Sequence, residues 1–226
     1  MKNLYVLFGV VVASLLGLDA YFYFAQHRPM RQKYLETGKH NEDLQREVLA
    51  VQQELNVKSA ELSKTVEMKQ AEIQAVQSTK DSLITAMQGE IQKNQIQITQ
   101  MADKLKLSIV DKILFASGET DVSPEGQQVL ARVGAILKNA ADKRVRVEGH
   151  TDNIPIGGRL KNLYPTNWEL SAARATNVVR LLQEKVGMSP KRLEAAGLSE
   201  FRPIASNATK EGRAQNRRIE IYLLPL

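Results

Sequence analysis

The chain has 226 residues, room for one or two domains, with 25% charged residues and a net charge of +6. It contains no cysteine, which excludes a disulfide framework, a thiol nucleophile and a cysteine-based zinc site. A basic chain can meet nucleic acid, anionic lipid or an anionic wall polymer. The sequence has no basic run with interleaved aromatics and no nucleic-acid reader motif, so no nucleic-acid partner is expected.

Residues 4–25, LYVLFGVVVASLLGLDAYFYFA, are apolar apart from Asp19. A bilayer core takes about 20 helical residues, so this segment can cross one. Tyr21, Phe22, Tyr23 and Phe24 give it the aromatic end expected at a headgroup interface. Pro29, just past His27 and Arg28, is expected to end the helix. Met1 and Lys2 could open a secretory signal, but Leu18-Asp19-Ala20 is a poor cleavage site. An uncleaved transmembrane signal-anchor over residues 1–27 is therefore expected, with a linker over 28–40. Asp19 reads as a residue near the outer interface, where water is close. An intramembrane proton carrier is the sharper alternative.

From residue 41 to about 108 there is no proline and one glycine, Gly89. Leu44, Val48, Val51, Leu55, Leu62, Val66 and Ile73 step along one helical face. The run continues through Val76, Leu83, Met87, Ile91, Ile98 and Leu105. Val51, Leu62, Ile73 and Ile84 repeat every eleven residues, which predicts a nearly straight or slightly right-handed coiled coil. A narrow apolar stripe on a polar helix needs a partner, so a homodimer through this coiled-coil stalk is expected, spanning on the order of 100 Å. Ser59, Gln70, Lys80 and Asn94 interrupt the seam and would fix register or oligomer state. A flexible helical linker is the alternative.

Residues 109–226 alternate short strands and helices. Strands are expected at 109–115, 145–150 (VRVEGH), 193–197 and 218–223, and helices from Pro124 to about 140 and over 168–185. Ser123 is a helix cap with Pro124 at the first helical position. The order β-α-β-α-β-β implies a small α/β (α+β) sandwich with a mixed sheet. The region 154–166, with Gly157, Gly158 and Pro165, reads as a loop. Asp152 then falls at a strand end and Arg174 on the next helix. A carboxylate and a guanidinium held on rigid elements suit a small zwitterion with one amine and one carboxylate.

The words F-A-S-G, V-E-G-H-T-D-N, N-W-E-L-S-A-A-R-A, L-E-A-A-G-L-S-E-F-R-P-I-A and N-R-R-I-E-I occur in that order. Together they resemble the OmpA-like (OmpA/MotB/Pal) peptidoglycan-binding domain over roughly residues 109–224, and the insert with N-W-E-L-S looks nearest the MotB-like branch. The resemblance implies that Asp152 binds the ammonium end of diaminopimelate in the stem peptide and Arg174 a carboxylate. It implies that Thr151 and Asn153 add hydrogen bonds, that Asn167 and Leu170 shape the pocket, and that Arg217 supports the rim. No catalytic residue, metal or cofactor is expected. His150 reads as a structural residue and Trp168 as a packing anchor.

These expectations give a non-catalytic envelope protein that is single-pass in a bacterial inner membrane and binds peptidoglycan with a periplasmic domain. More positive charge follows the span than precedes it, which would put the C-terminus in the cytoplasm. The wall-binding resemblance requires the reverse orientation and decides the expectation. A MotB-like motor stator is the second reading. Against it, Asp19 lies late in the span and a long coiled coil stands where a short plug segment would be. A hydrolase built on Ser171, His150 and Asp152 lacks both a G-x-S-x-G elbow and metal-ligand spacing.

Overall fold

The computed structural model describes residues 2–116 and 118–226, without the side chains of Lys2 and Arg159. Ser117 of the F-A-S-G word and Met1 of the basic start lie outside the described residues. The chain divides into residues 1–65 and a compact unit of residues 66–226.

The first unit is helical wherever it is described. Helix α1 runs from Lys2 to Ala86 and passes through Pro29 and the expected 28–40 linker without a break. A proline removes one N–H and crowds the carbonyl four residues back. Here that carbonyl belongs to the exposed residue Ala25, which solvent or headgroups can satisfy. This segment is long and apolar enough to cross a membrane. The stripe Leu44, Val48, Val51, Leu55 and Leu62 is exposed along the helix.

In the second unit the stalk ends earlier than its periodicity suggested. Helix α1 stops at Ala86, a short helix α2 spans Gln88–Gln92, and strands β1 (Ile96–Met101) and β2 (Lys104–Val110) form a hairpin. Asn94 at φ 56° and Ala102 at φ 51° turn the chain at each end of β1. Ile96, Ile98, Leu105, Leu107 and Ile109 alternate with polar residues, and that period of two belongs to a strand with one buried face. Val76, Leu83 and Met87, expected in a seam between chains, are buried in the core of this unit. The first expected strand also moves. Asp111–Leu114 forms a helical turn, α3, where 109–115 was expected to be extended.

The remaining elements are α4 (Pro124–Asn139), β3 (Lys143–His150), α5 (Asn167–Glu184), β4 (Leu193–Gly197), α6 (Lys210–Asn216) and β5 (Arg218–Pro225). Ser123 caps α4 by accepting from the Gly126 N–H at 3.0 Å. The five strands lie in the order β1-β2-β5-β3-β4, with β3 and β4 parallel and the other pairs antiparallel. Leu107, Ile109, Val145, Val147, Ile219 and Ile221 fill the apolar face, under Leu130 and Leu137 of α4 and Val178 and Leu182 of α5. The result is a two-layer sandwich with a mixed sheet.

Two glycines set the position of α5. Gly149 of β3 pairs with Gly197 of β4, and both lie under the α5 backbone. A Cβ on Gly149 would stand 2.1 Å from the Ser171 carbonyl oxygen, and one on Gly197 would stand 2.6 Å from the Ala172 nitrogen. Neither contact can relax by a side-chain rotation. We expect Gly149→Ala to cost upwards of about 1–3 kcal/mol, as overpacking does. Urea unfolding followed by Trp168 emission would measure this, and an unchanged midpoint would contradict the close approach of α5 to Gly149.

Candidate functional site

Past the end of β3 the chain stays ordered. Thr151 N–H donates to the Ser199 carbonyl at 3.0 Å, and Leu198 N–H to the Gly149 carbonyl at 2.9 Å. Asp152 then accepts the Ile154 N–H at 3.1 Å, an Asx turn that fixes one carboxylate oxygen. Its other oxygen pairs with the Arg217 guanidinium. Asp152 is nearly buried, whereas the Arg217 side chain is 39% exposed.

Helix α5 starts at a capping box. Thr166 is the N-cap, so the helix begins at Asn167, one residue before the expected start, and Glu169 accepts the Thr166 N–H at 2.8 Å. The Glu169 carboxyl is held below its ordinary value, chiefly by the Thr166 hydroxyl. Asn167 is buried, and its amide donates to the Asp152 and Ile154 carbonyls at 3.2 Å each and to Glu200 at 2.6 Å. This one side chain joins the strand exit, the helix start and the loop after β4. Leu170 is buried beneath it.

Arg174 lies two helical turns further along the same face and is buried. It donates to the Glu119 carbonyl at 3.1 and 3.0 Å, meets Asp111 at 2.9 Å and sits 5.0 Å over the Phe115 ring. Burial holds the Asp111 carboxyl above its ordinary value despite the nearby guanidiniums of Arg174 and Arg217, and Asp152 adds to the rise. Burial also lowers Arg174, against the pull of Asp111. The site is thus two carboxylates and two guanidiniums in mutual influence, already paired, with Arg217 the more exposed cation.

The fold brings Asp152, Thr151, Asn167, Leu170, Arg174 and Arg217 together. Asn153 is exposed beside them. Thr151 is buried, and its hydroxyl has no hydrogen-bond partner among the described residues. Asp111, the Glu119 carbonyl and Glu200 were missed by sequence reasoning. Asp111 was hidden inside an expected strand, and a backbone carbonyl leaves no trace in composition. Trp168 is no buried anchor. It is half exposed against Phe201.

Behind this site, on the sheet face away from the helices, Glu148 and His150 of β3 lie opposite Glu220 and Arg218 of β5. Ligand atoms of Glu148, His150 and Glu220 fall within 4.8 Å of one another, close enough to consider a metal. Both carboxylates already face cations, however. Arg146 stands 2.8 Å from Glu148, and Arg218 and Lys106 stand 2.8 and 3.6 Å from Glu220. The cluster is an ion-pair ladder. Ser171 gives its hydroxyl to the Trp168 carbonyl and accepts the Ser199 N–H, so its bonds are to backbone and not to His150.

The OmpA family profile matches residues 114–217, a span that contains Asp152, Arg174 and Arg217. The solved cell wall anchor of the T6SS from Pseudomonas aeruginosa is 35% identical, with a TM-score of 0.58 over 65% of this chain and 99% of that one. The chain belongs to the OmpA family. It has MotB-like relatives there. Motility protein B of Bacillus subtilis (strain 168) is 32% identical over 158 residues, which are 70% of this chain and 59% of that protein. Peptidoglycan-binding protein ArfA of Mycobacterium tuberculosis is 39% identical over 111 residues, 49% of this chain and 32% of its own length. The chain therefore spans less than two thirds of these curated relatives.

Burial alone would raise the Glu220 carboxyl, but His150, Tyr222 and Arg218 beside it outweigh burial and hold it far below its ordinary 4.5. A lowered folded pKa stabilises fully above the unfolded value, and that stability is lost as pH falls below it. Glu220→Gln should cost about 3–5 kcal/mol near neutral pH, because Arg218 is left buried without its carboxylate. The deficit against wild type should shrink below pH 4.5. Urea midpoints from pH 7 to pH 3 would show it, and a pH-independent deficit would contradict this account.

Proposed function

We propose that the chain is a non-catalytic tether that anchors a membrane to peptidoglycan by holding the diaminopimelate of the stem peptide. The observation that carries this reading is the rim pair of Asp152 and Arg217 beside Arg174 and Asp111. Charge-assisted bonds at fixed geometry suit a ligand that presents an ammonium and a carboxylate together. The ligand's ammonium would displace Arg217 from Asp152, and its carboxylate would be met by the guanidiniums of Arg217 and Arg174. Thr151 and Asn153 contribute hydrogen bonds at the same rim. The names of the wall anchor and of ArfA support the wall as partner.

The N-terminal apolar helix would place the chain in the inner membrane with its C-terminal domain in the periplasm. The exposed stripe from Leu44 to Leu62 would pair with a second copy. This makes a dimeric coiled coil of the part of α1 that lies outside the compact unit.

A second reading is favoured by the likeness to Motility protein B and by the acid in the span: a stator subunit coupling ion flow to wall anchoring. Asp19→Asn separates the two, since it should abolish ion flux or motility in a stator and leave a plain tether working.

Asp152→Ala is the cleaner test of the site. Its partner Arg217 is already part exposed, so the fold should survive, and sedimentation with isolated sacculi should show affinity about 10- to 100-fold weaker. Arg174→Ala should also abolish binding, at a cost of about 3–5 kcal/mol in stability, because Asp111 is left buried alone. Full sacculus binding by a folded Asp152→Ala chain would move the site elsewhere.

A further inference from the structure

Beside the charged rim lies an aromatic surface to which the stem-peptide reading gives no role. Trp168 is 48% exposed and Phe201 63% exposed, with ring centroids 5.4 Å apart and planes tilted by 31°. Both rings are held outward by the elements that carry them. The capping box and the Asn167 amide fix the first turn of α5, which carries Trp168. The loop that carries Phe201 is pinned by the Asn167–Glu200 bond and by the Ser199 N–H on Ser171. Ser199 adopts φ 54°, a left-handed conformation that costs a non-glycine residue energy and needs surrounding contacts to persist. Strain is thus maintained next to the aromatic pair.

Asn167 makes this surface continuous with the charged rim, since the same amide bonds the Asp152 carbonyl and Glu200. We infer that Trp168 and Phe201 form a second subsite, a stacking platform for an N-acetylated amino-sugar ring of the glycan strand. The inference rests on the stem-peptide reading, because that peptide is covalently joined to such a sugar. The chemistry fits on two counts. A pyranose has a face of weakly positive C–H groups, which the negative face of an aromatic ring attracts. Its hydroxyl and acetamido groups need polar partners at the edge, and Glu200, next to Phe201 in the chain and bonded to the Asn167 amide, stands there. A patch of two rings is small against the roughly 1,000 Å² of a stable protein interface, which favours a sugar ring over a second protein.

Trp168 is the chain's single tryptophan, so its emission reports this subsite directly. The full chain in detergent would be titrated with glycan strands stripped of their stem peptides by an amidase. The same chain would be sedimented with intact sacculi as wild type, Trp168→Ala, Phe201→Ala and Asp152→Ala. Stripped strands should shift the emission saturably in both wild type and Asp152→Ala. Trp168→Ala and Phe201→Ala should each weaken sacculus binding about threefold to tenfold while leaving free stem-peptide binding unchanged. The platform is overturned if stripped strands leave the emission unmoved, or if both aromatic variants bind sacculi like wild type. A loss confined to the aromatic variants, with Asp152→Ala binding normally, would support the platform and refute the peptide site.

Discussion

The close approach of α5 to the Gly149–Gly197 pair is the constraint on which the site depends. At 2.1 and 2.6 Å, the space a Cβ would need is already filled by backbone atoms of Ser171 and Ala172. Helix and strands therefore meet backbone to backbone, at a depth no side chain can adjust. Gly149 lies three residues before Asp152, and Ser171 three before Arg174. Fixing the first pair of positions fixes the second. It also brings Asn167 within reach of the Asp152 carbonyl, and from there the loop carrying Glu200 and Phe201 is held.

The charges divide into two sets with different exposure. On the sheet face, Glu220 and Arg218 are both buried and bound to each other, with Tyr222 donating to Glu220 at 2.6 Å. Arg218 also donates to the Asn216 and Arg202 carbonyls, and this pair contributes rigidity at the root of β3 and β5. At the rim, Asp152 is buried while its counter-ion Arg217 is not. A buried carboxylate paired with a part-exposed side chain can exchange that cation for another at little cost in desolvation, because Asp152 is already dehydrated. Adjacent residues, Arg217 and Arg218, thus serve opposite ends, one movable and one locked.

Much of this was legible in the sequence, for identifiable reasons. Ser123-Pro124, the alternation of VRVEGH and the apolar spacing of 168–185 each have a local cause, and each element formed where that cause pointed. Asp152 and the five residues that the fold brings around it were singled out because separated words agreed in order and spacing. Errors arose where one pattern admits two partners. Val76, Leu83 and Met87 satisfy a helical stripe whether it meets another chain or the domain's own sheet, and only the fold decides. Residues 96–108 were read in the period of the preceding helix although they alternate by two. The pairing of Asp152 with Arg217, and of Arg174 with Asp111, was invisible because those partners are far apart along the chain.

The route by which α1 joins the compact unit determines how that unit would carry tension. Before the chain reaches β1, an edge strand bonded to β2 alone, Val76, Leu83 and Met87 are already seated in the core. Glu72 is bonded to Lys143, the first residue of β3, and Arg132 of α4 holds Glu90 and the Ala86 carbonyl. A pull along this part of α1 is therefore delivered to the start of β3 and to α4, bypassing the strand that could be peeled bond by bond. A ligand at Asp152 would resist from just beyond the other end of β3. The load would then run along one strand flanked by β5 on one side and β4 on the other. Its ladder bonds would be strained together, in shear.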